Sequence, residues 1–164
     1  NALEERMTCI QAGVSVAAGT LAFTSGLDTV NHVLAEGEAG ESVHVEVLPL
    51  DSLPAAREAT LIKIDVEGHE LAVLEGAAAV LSSPGLLAVV METNGSGARY
   101  GLADDALFAC MAGHGFERYA YDPFTRRLQA TQAGAANAIF VRDLETVATR
   151  LRDAPVYRLV NGHI

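Results

Sequence analysis

Between Leu61 and Met91 the chain reads LIKIDVEGHELAVLEGAAAVLSSPGLLAVVM, and that string leaves few folds open. LIKI is an apolar run that ends abruptly in Asp65, Glu67, Gly68 and His69. From Glu70 onward Leu71, Leu74, Ala78 and Leu81 recur at helical spacing, with Val73, Ala77 and Val80 widening the stripe. SSPG stops that helix. LLAVVM, Leu86 to Met91, then reads as a strand buried on both faces, and it too ends in a polar cluster, ETNGSG. Strand, helix and strand in this order predict a parallel pair joined by a helical crossover, the unit of an α/β fold.

Ligands of open parallel sheets bind beyond the carboxyl ends of the strands. Asp65, Glu67 and His69 follow the first strand here, and Glu92 and Asn94 follow the second. If the strands are neighbours, carboxylates, an imidazole and an amide surround one crevice. Lys63 shares a strand face with Asp65 and Glu67. A lysine in a buried strand needs a partner, and Asp65 or Glu92 is the natural one. Capping and solvated charge are the plainer account of Asp65 and Glu67, but two acids, a glycine and an acidic neighbouring strand end fit it poorly; a surface position is the plainer account of His69. Gly68 is read as supplying a backbone angle closed to other residues, or room for a ligand. His32, His44, His114 and His163 have no neighbours in sequence that suggest chemistry.

On the amino side, MTCIQAGVS (Met7 to Ser15), GTLAFTS and SVHVEVLPL read as strands, the last alternating through Val43, Val45 and Val47. The glycine- and acid-rich stretch from Leu27 to Glu41 reads as a loop. On the carboxyl side a helix is expected over Asp104 to Ala112, then strands in FERYAYD, RRLQA and NAIFVRD, and a helix from Leu144 to about Arg152. These short strands predict an antiparallel edge. No repeat or linker interrupts the 164 residues, so one domain is expected.

A net charge of −10 without a basic patch argues against nucleic acid as a partner. Cys9 and Cys110 lack metal-ligand spacing and read as two buried thiols in a reducing, cytoplasmic compartment. No apolar run approaches the roughly 20 residues of a membrane span, so no membrane partner is expected.

PLDSL, LIKIDVEGHELAVLEGA and VVMETN together resemble the FkbM-type methyltransferases, and MTCIQAGVSVAAGTLAF is similar to the family's stretch around its third strand. The resemblance covers most of Met7 to Glu92. It implies a Rossmann-like fold with a mostly parallel sheet and S-adenosylmethionine as cofactor. The implied reaction is O-methylation of a small-molecule or glycan hydroxyl. It places Asp65 at the end of the fourth strand, facing the cofactor's methionine part and the acceptor. Glu67, Gly68 and Glu70 fall on signature positions, Glu92 ends the fifth strand, and Gln11 and Ala12 lie near the adenine. The implied cofactor contacts are therefore Gln11, Ala12, Asp65, Glu67 and Gly68. Candidates for the base that takes the acceptor's proton are Asp65, Glu92 and His69, an acid being favoured.

The family's glycine-rich cofactor loop and the acid ending its second strand have no counterpart in these residues. The expectation is therefore a partial methyltransferase domain lacking its first two strands, completed by an upstream segment or a second chain. In the family those two strands lie between the third and the fourth, so LIKI is expected to form an open edge. Two rival readings stand beside this one. Asp65, Glu67, His69 and Glu92 would hold magnesium or manganese in a hydrolase or lyase, or the chain is a non-catalytic partner that pairs through its strand edge.

Overall fold

The structure, a computed structural model, describes residues 4–132, 136–160 and 162–163. Two sheets organise it. In the smaller, β3 (Ser42–Leu48) lies between β1 (Gly13–Val14), which runs parallel to it, and β2 (Gly19–Thr24), which runs antiparallel. The larger sheet has the order β4-β5-β8-β6-β7, built from β4 (Leu61–Ile64), β5 (Ala88–Glu92), β6 (Glu117–Asp122), β7 (Arg127–Ala130) and β8 (Asn137–Val141).

The expected crossover unit forms. β4 and β5 pair in parallel with Ile64 opposite Met91, so their carboxyl ends lie side by side. The expectation of a mostly parallel sheet needs correction. Helical crossovers give β4, β5 and β6 a common direction, but β8 enters between β5 and β6 against them. β4 with β5 is thus the one parallel pair of this sheet, and β7 continues the antiparallel edge as a hairpin with β6. β4 pairs with β5 alone among the described residues, and Leu61 at its start is 59% exposed.

The helix predicted from Glu70 to Leu81 is two helices, α1 (Glu70–Glu75) and α2 (Ala78–Ser82). The break coincides with a close approach. A Cβ on Gly76 would lie 2.1 Å from the Ser15 carbonyl oxygen, so the chain passing from β1 to β2 presses against the end of α1. α2 lacks a capping side chain at its own start. Asp51 supplies one from the 3-10 turn Leu50–Ser52: its carboxylate accepts the N–H groups of Ala79 and Val80, each at 2.9 Å. The PLDSL stretch thus acts as a cap on a helix far along the chain.

α1, α2 and α3 (Asp104–Gly113) cover one face of the larger sheet, where Val80, Leu86, Val89, Met91 and Met111 are wholly buried. Hydrophobic burial over this face is the main stabilising term. The other face carries a smaller cluster of Ala88, Tyr119 and Val141, joined by Val147 of α4 (Leu144–Asp153). Arg142, just after β8, locks the layers. It donates to the carbonyls of Leu81 (2.8 Å), Leu86 (2.7 Å), His114 (3.3 Å) and Ser83, and stacks 4.6 Å above the Phe116 ring.

Three further expectations change. Met7 to Ser15 forms a strand only at Gly13–Val14, since β3 offers only Val47 and Leu48 as parallel partners. Lys63 is not buried: it lies on the face of β4 away from the helices, half-exposed and paired with Asp65. Cys9 is exposed, while Cys110 is partly buried and burial pushes its thiol up. Among the described residues no helix is long and apolar enough to cross a membrane.

Candidate active site

The two acidic strand ends meet. Asp65 follows β4 directly, and Glu92 is the last residue of β5. Between Asp65 and α1 the chain must turn sharply, and it does so through two left-handed residues, Glu67 (φ 54°) and Gly68 (φ 104°). Gly68 suits that angle, and its backbone also packs where a Cβ would sit 2.7 Å from the Ser96 carbonyl. Glu67 has no such licence; a non-glycine residue there costs on the order of 1–3 kcal/mol, strain of a kind concentrated at functional sites. The turn is braced from below by Glu70, which is 2% exposed and accepts the Gly68 N–H at 3.0 Å.

Asp65, Glu67 and Glu92 each present a carboxylate oxygen, all within 4.8 Å of one another. Among the described residues Lys63 forms its ion pair with Asp65 alone. The Glu92 Oε2 atom is buried and has no hydrogen-bond partner among the described residues. Burial pushes the Glu92 carboxyl up, the charges of Glu67, Asp65 and Glu70 push it further, and Lys63 opposes them. A buried carboxylate oxygen without a partner among like charges is a site prepared for positive charge or for a proton.

Next to this cluster lies a cleft of about 470 Å³. Asp65, Glu67 and His69 form its polar side, and Gly13, Val14, Phe23, Val33 and Val66 its apolar wall, with Thr29 and Asn31 alongside. Gln11 is exposed and Ala12 partly so; neither lines the cleft, whose first-strand wall begins one residue later. Thr29, Asn31 and Val33 come from the loop between β2 and β3, which reads in sequence only as a glycine- and acid-rich stretch.

Several contacts hold that loop in place. His32, which has no company in sequence, is buried; its Nδ1 lies 2.9 Å from the Val30 carbonyl and its Nε2 2.9 Å from Glu38. The Tyr100 hydroxyl donates to the Val33 carbonyl at 2.6 Å, and burial pushes the phenol up to about 12, so it stays a donor. Arg99 donates to Ser96 within its own turn.

His69 stands between the layers. Its Nε2 lies 3.0 Å from the hydroxyl of buried Ser15, its ring meets Tyr100 edge-on at 5.9 Å, and burial pushes its pKa down, which favours the neutral imidazole. No local pattern in sequence marks Ser15, Phe23 or Val33 as neighbours of this site.

The residues suit S-adenosylmethionine on the chemistry of the donor set. A sulfonium and an ammonium call for carboxylates, one of them here with an unpartnered buried oxygen, and an adenine calls for an apolar wall.

The family described as Methyltransferase FkbM domain matches residues 5–131. No curated protein sequence matches the chain. The fold is similar to the crystal structure of Methyltransferase FkbM from Methylobacillus flagellatus KT, with a TM-score of 0.50 and 16% identity, over 86% of this chain and 30% of that one. The chain thus spans less than a third of that protein's length. The family match runs from before β1 to the end of β7 and takes in Asp65, Glu67, His69 and Glu92, so this chain belongs to the FkbM methyltransferase family.

Proposed function

We infer that the chain serves S-adenosylmethionine-dependent methyl transfer to a hydroxyl of a small molecule or glycan. The observation that carries this reading is the cluster of Asp65, Glu67 and Glu92, in which the buried Oε2 of Glu92 has no partner among the described residues, next to a half-apolar cleft that Asp65 and Glu67 line. When bound, S-adenosylmethionine supplies an electrophilic methyl group on a positively charged sulfur. Asp65, anchored by Lys63, and Glu67 hold positive charge at the mouth of the cleft. Glu92 has the raised proton affinity of a general base, so it is the first candidate to take the acceptor's hydroxyl proton. Asp65 and His69 are the others. Gln11, Ala12 and Gly68 belong to the surroundings of the cofactor on the family resemblance, and Gly13 and Val14 form the adjoining wall.

Titrating S-adenosylhomocysteine calorimetrically into the protein tests the reading. One-to-one binding that Glu92→Gln alters supports it, and absence of binding in the full-length protein overturns it. Because the Glu92 carboxyl takes its proton at higher pH than an ordinary carboxylate, any contribution from its charge fades as pH falls from neutral toward the usual carboxylate range.

The mutual approach of the three carboxylates also suits magnesium or manganese, the second reading. A rise in melting temperature with either ion, lost in Glu67→Gln, would favour a metal-dependent hydrolase or lyase. The unshared edge of β4 supports an upstream segment or a second chain as the strand partner. Analytical ultracentrifugation of this chain with and without the upstream region tests that part.

A further inference from the structure

Ser15 is 5% exposed, and its backbone is held from two sides. Its N–H donates to Leu48 at 3.0 Å, and its carbonyl is wedged against Gly76. Its hydroxyl therefore has little freedom to seek another partner. Among the described residues that hydroxyl touches one polar atom only, the Nε2 of His69 at 3.0 Å. A buried O–H with a single neighbour must donate to it, because the alternative leaves the hydroxyl proton without an acceptor. The Nε2 lone pair of His69 is then occupied. A neutral imidazole that accepts at Nε2 carries its proton on Nδ1. Nδ1 has no protein partner among the described residues, and His69 is one of the residues that line the cleft, with Asp65 and Glu67.

We propose that Ser15 is a positioning residue that holds His69 in the Nδ1–H tautomer, making the imidazole a hydrogen-bond donor for an oxygen atom of the bound ligand and not a base. The ligand role rests on the methyl-transfer reading of the cleft; the tautomer does not. The lowered pKa of His69 is consistent with the neutral ring this requires. The donor role leaves Glu92 and Asp65 as the candidates for proton removal.

The test is long-range proton–nitrogen correlation spectroscopy on the nitrogen-15-labelled protein, with the His69 signals assigned by their loss in His69→Gln. The unsubstituted protein is expected to show a protonated Nδ1 and a bare Nε2. In Ser15→Ala the protonated Nε2 form is expected to gain population, and in Ser15→Thr the Nδ1–H form is retained. Unmoved signals from the other histidines show that the fold is intact. A protonated Nε2 in the unsubstituted protein overturns the proposal before any variant is made. An unchanged tautomer in a folded Ser15→Ala also overturns it. S-adenosylhomocysteine affinity is read separately: about two- to tenfold weaker binding in Ser15→Ala supports the donor role, and unchanged binding overturns that role. Absence of binding in the full-length protein condemns the methyl-transfer reading, while the tautomer seen by spectroscopy still decides the role of Ser15.

Discussion

Replacing Gly76 with alanine adds one methyl group where the structure has no room. The glycine has φ −76° and ψ 0°, a conformation open to any residue, so the obstacle is space and not backbone angle. The new Cβ would lie 2.1 Å from the Ser15 carbonyl oxygen, 3.0 Å from its carbon and 3.2 Å from the Val16 Cα. All three are backbone atoms and cannot rotate away. Relief requires α1 or the segment after β1 to shift by about an ångström or more, and Gly76 is itself tied by its carbonyl to the Asp51 N–H at 2.9 Å. Overpacking of this kind costs about 1–3 kcal/mol or more. The lower entropy of the unfolded alanine chain offsets about 0.4–1 kcal/mol of that. With three backbone atoms to displace, the upper part of that range applies, about 2–3 kcal/mol, so a net loss of about 1–2.5 kcal/mol follows, which at this chain length lowers Tm by about 2–10 °C. Urea and thermal unfolding measure it, with Gly113→Ala as control. Gly113 lies in the last turn of α3 with open space around its Cβ position, so alanine there should be neutral or stabilising. A Gly76→Ala protein as stable as the parent would refute the close approach of the Ser15 carbonyl to the end of α1.

Other expectations follow from the same contacts. Asp51→Ala removes the cap on the Ala79 and Val80 N–H groups and should cost about 1–2 kcal/mol by urea unfolding, with Asn recovering part. Arg142→Ala leaves the carbonyls of Leu81, Ser83, Leu86 and His114 without their shared donor. A loss of about 2–4 kcal/mol is expected, and lysine, lacking the planar fork, should restore little of it. The Glu38 carboxyl is held low by the Ala35 N–H first and by His32 second. Its folded pKa lies below the unfolded 4.5, so its contribution is fully present above pH 4.5 and vanishes as pH falls through the folded value. Comparing the acid limb of stability against pH with that of Glu38→Gln checks this: the variant's limb should be flatter there.

The amino-acid sequence by itself determined the parts whose signals are local. The run LIKI, the acids after it, the helical stripe and LLAVVM form a crossover unit because a strand buried on its faces and an amphipathic helix write their periods into neighbouring residues. Parallel pairing of the two strands then had to bring Asp65 and Glu92 together. The last helix, the β6–β7 hairpin and the family signature were legible for the same reason. The tertiary structure alone decided what depends on remote partners. Ser15 meets His69 across 54 residues, Asp51 caps α2 across 28, and Tyr100 fastens the cleft loop across 67. Gly76 falls within the single helix expected from sequence, and only the tertiary structure sets the Ser15 carbonyl against it, at the point where the helix divides. Lys63 reads as buried because an apolar run usually has neighbours on both edges; here β4 has one, and the lysine reaches solvent. Periodicity reports which face of an element is apolar, but it carries no record of which distant backbone comes to rest against it.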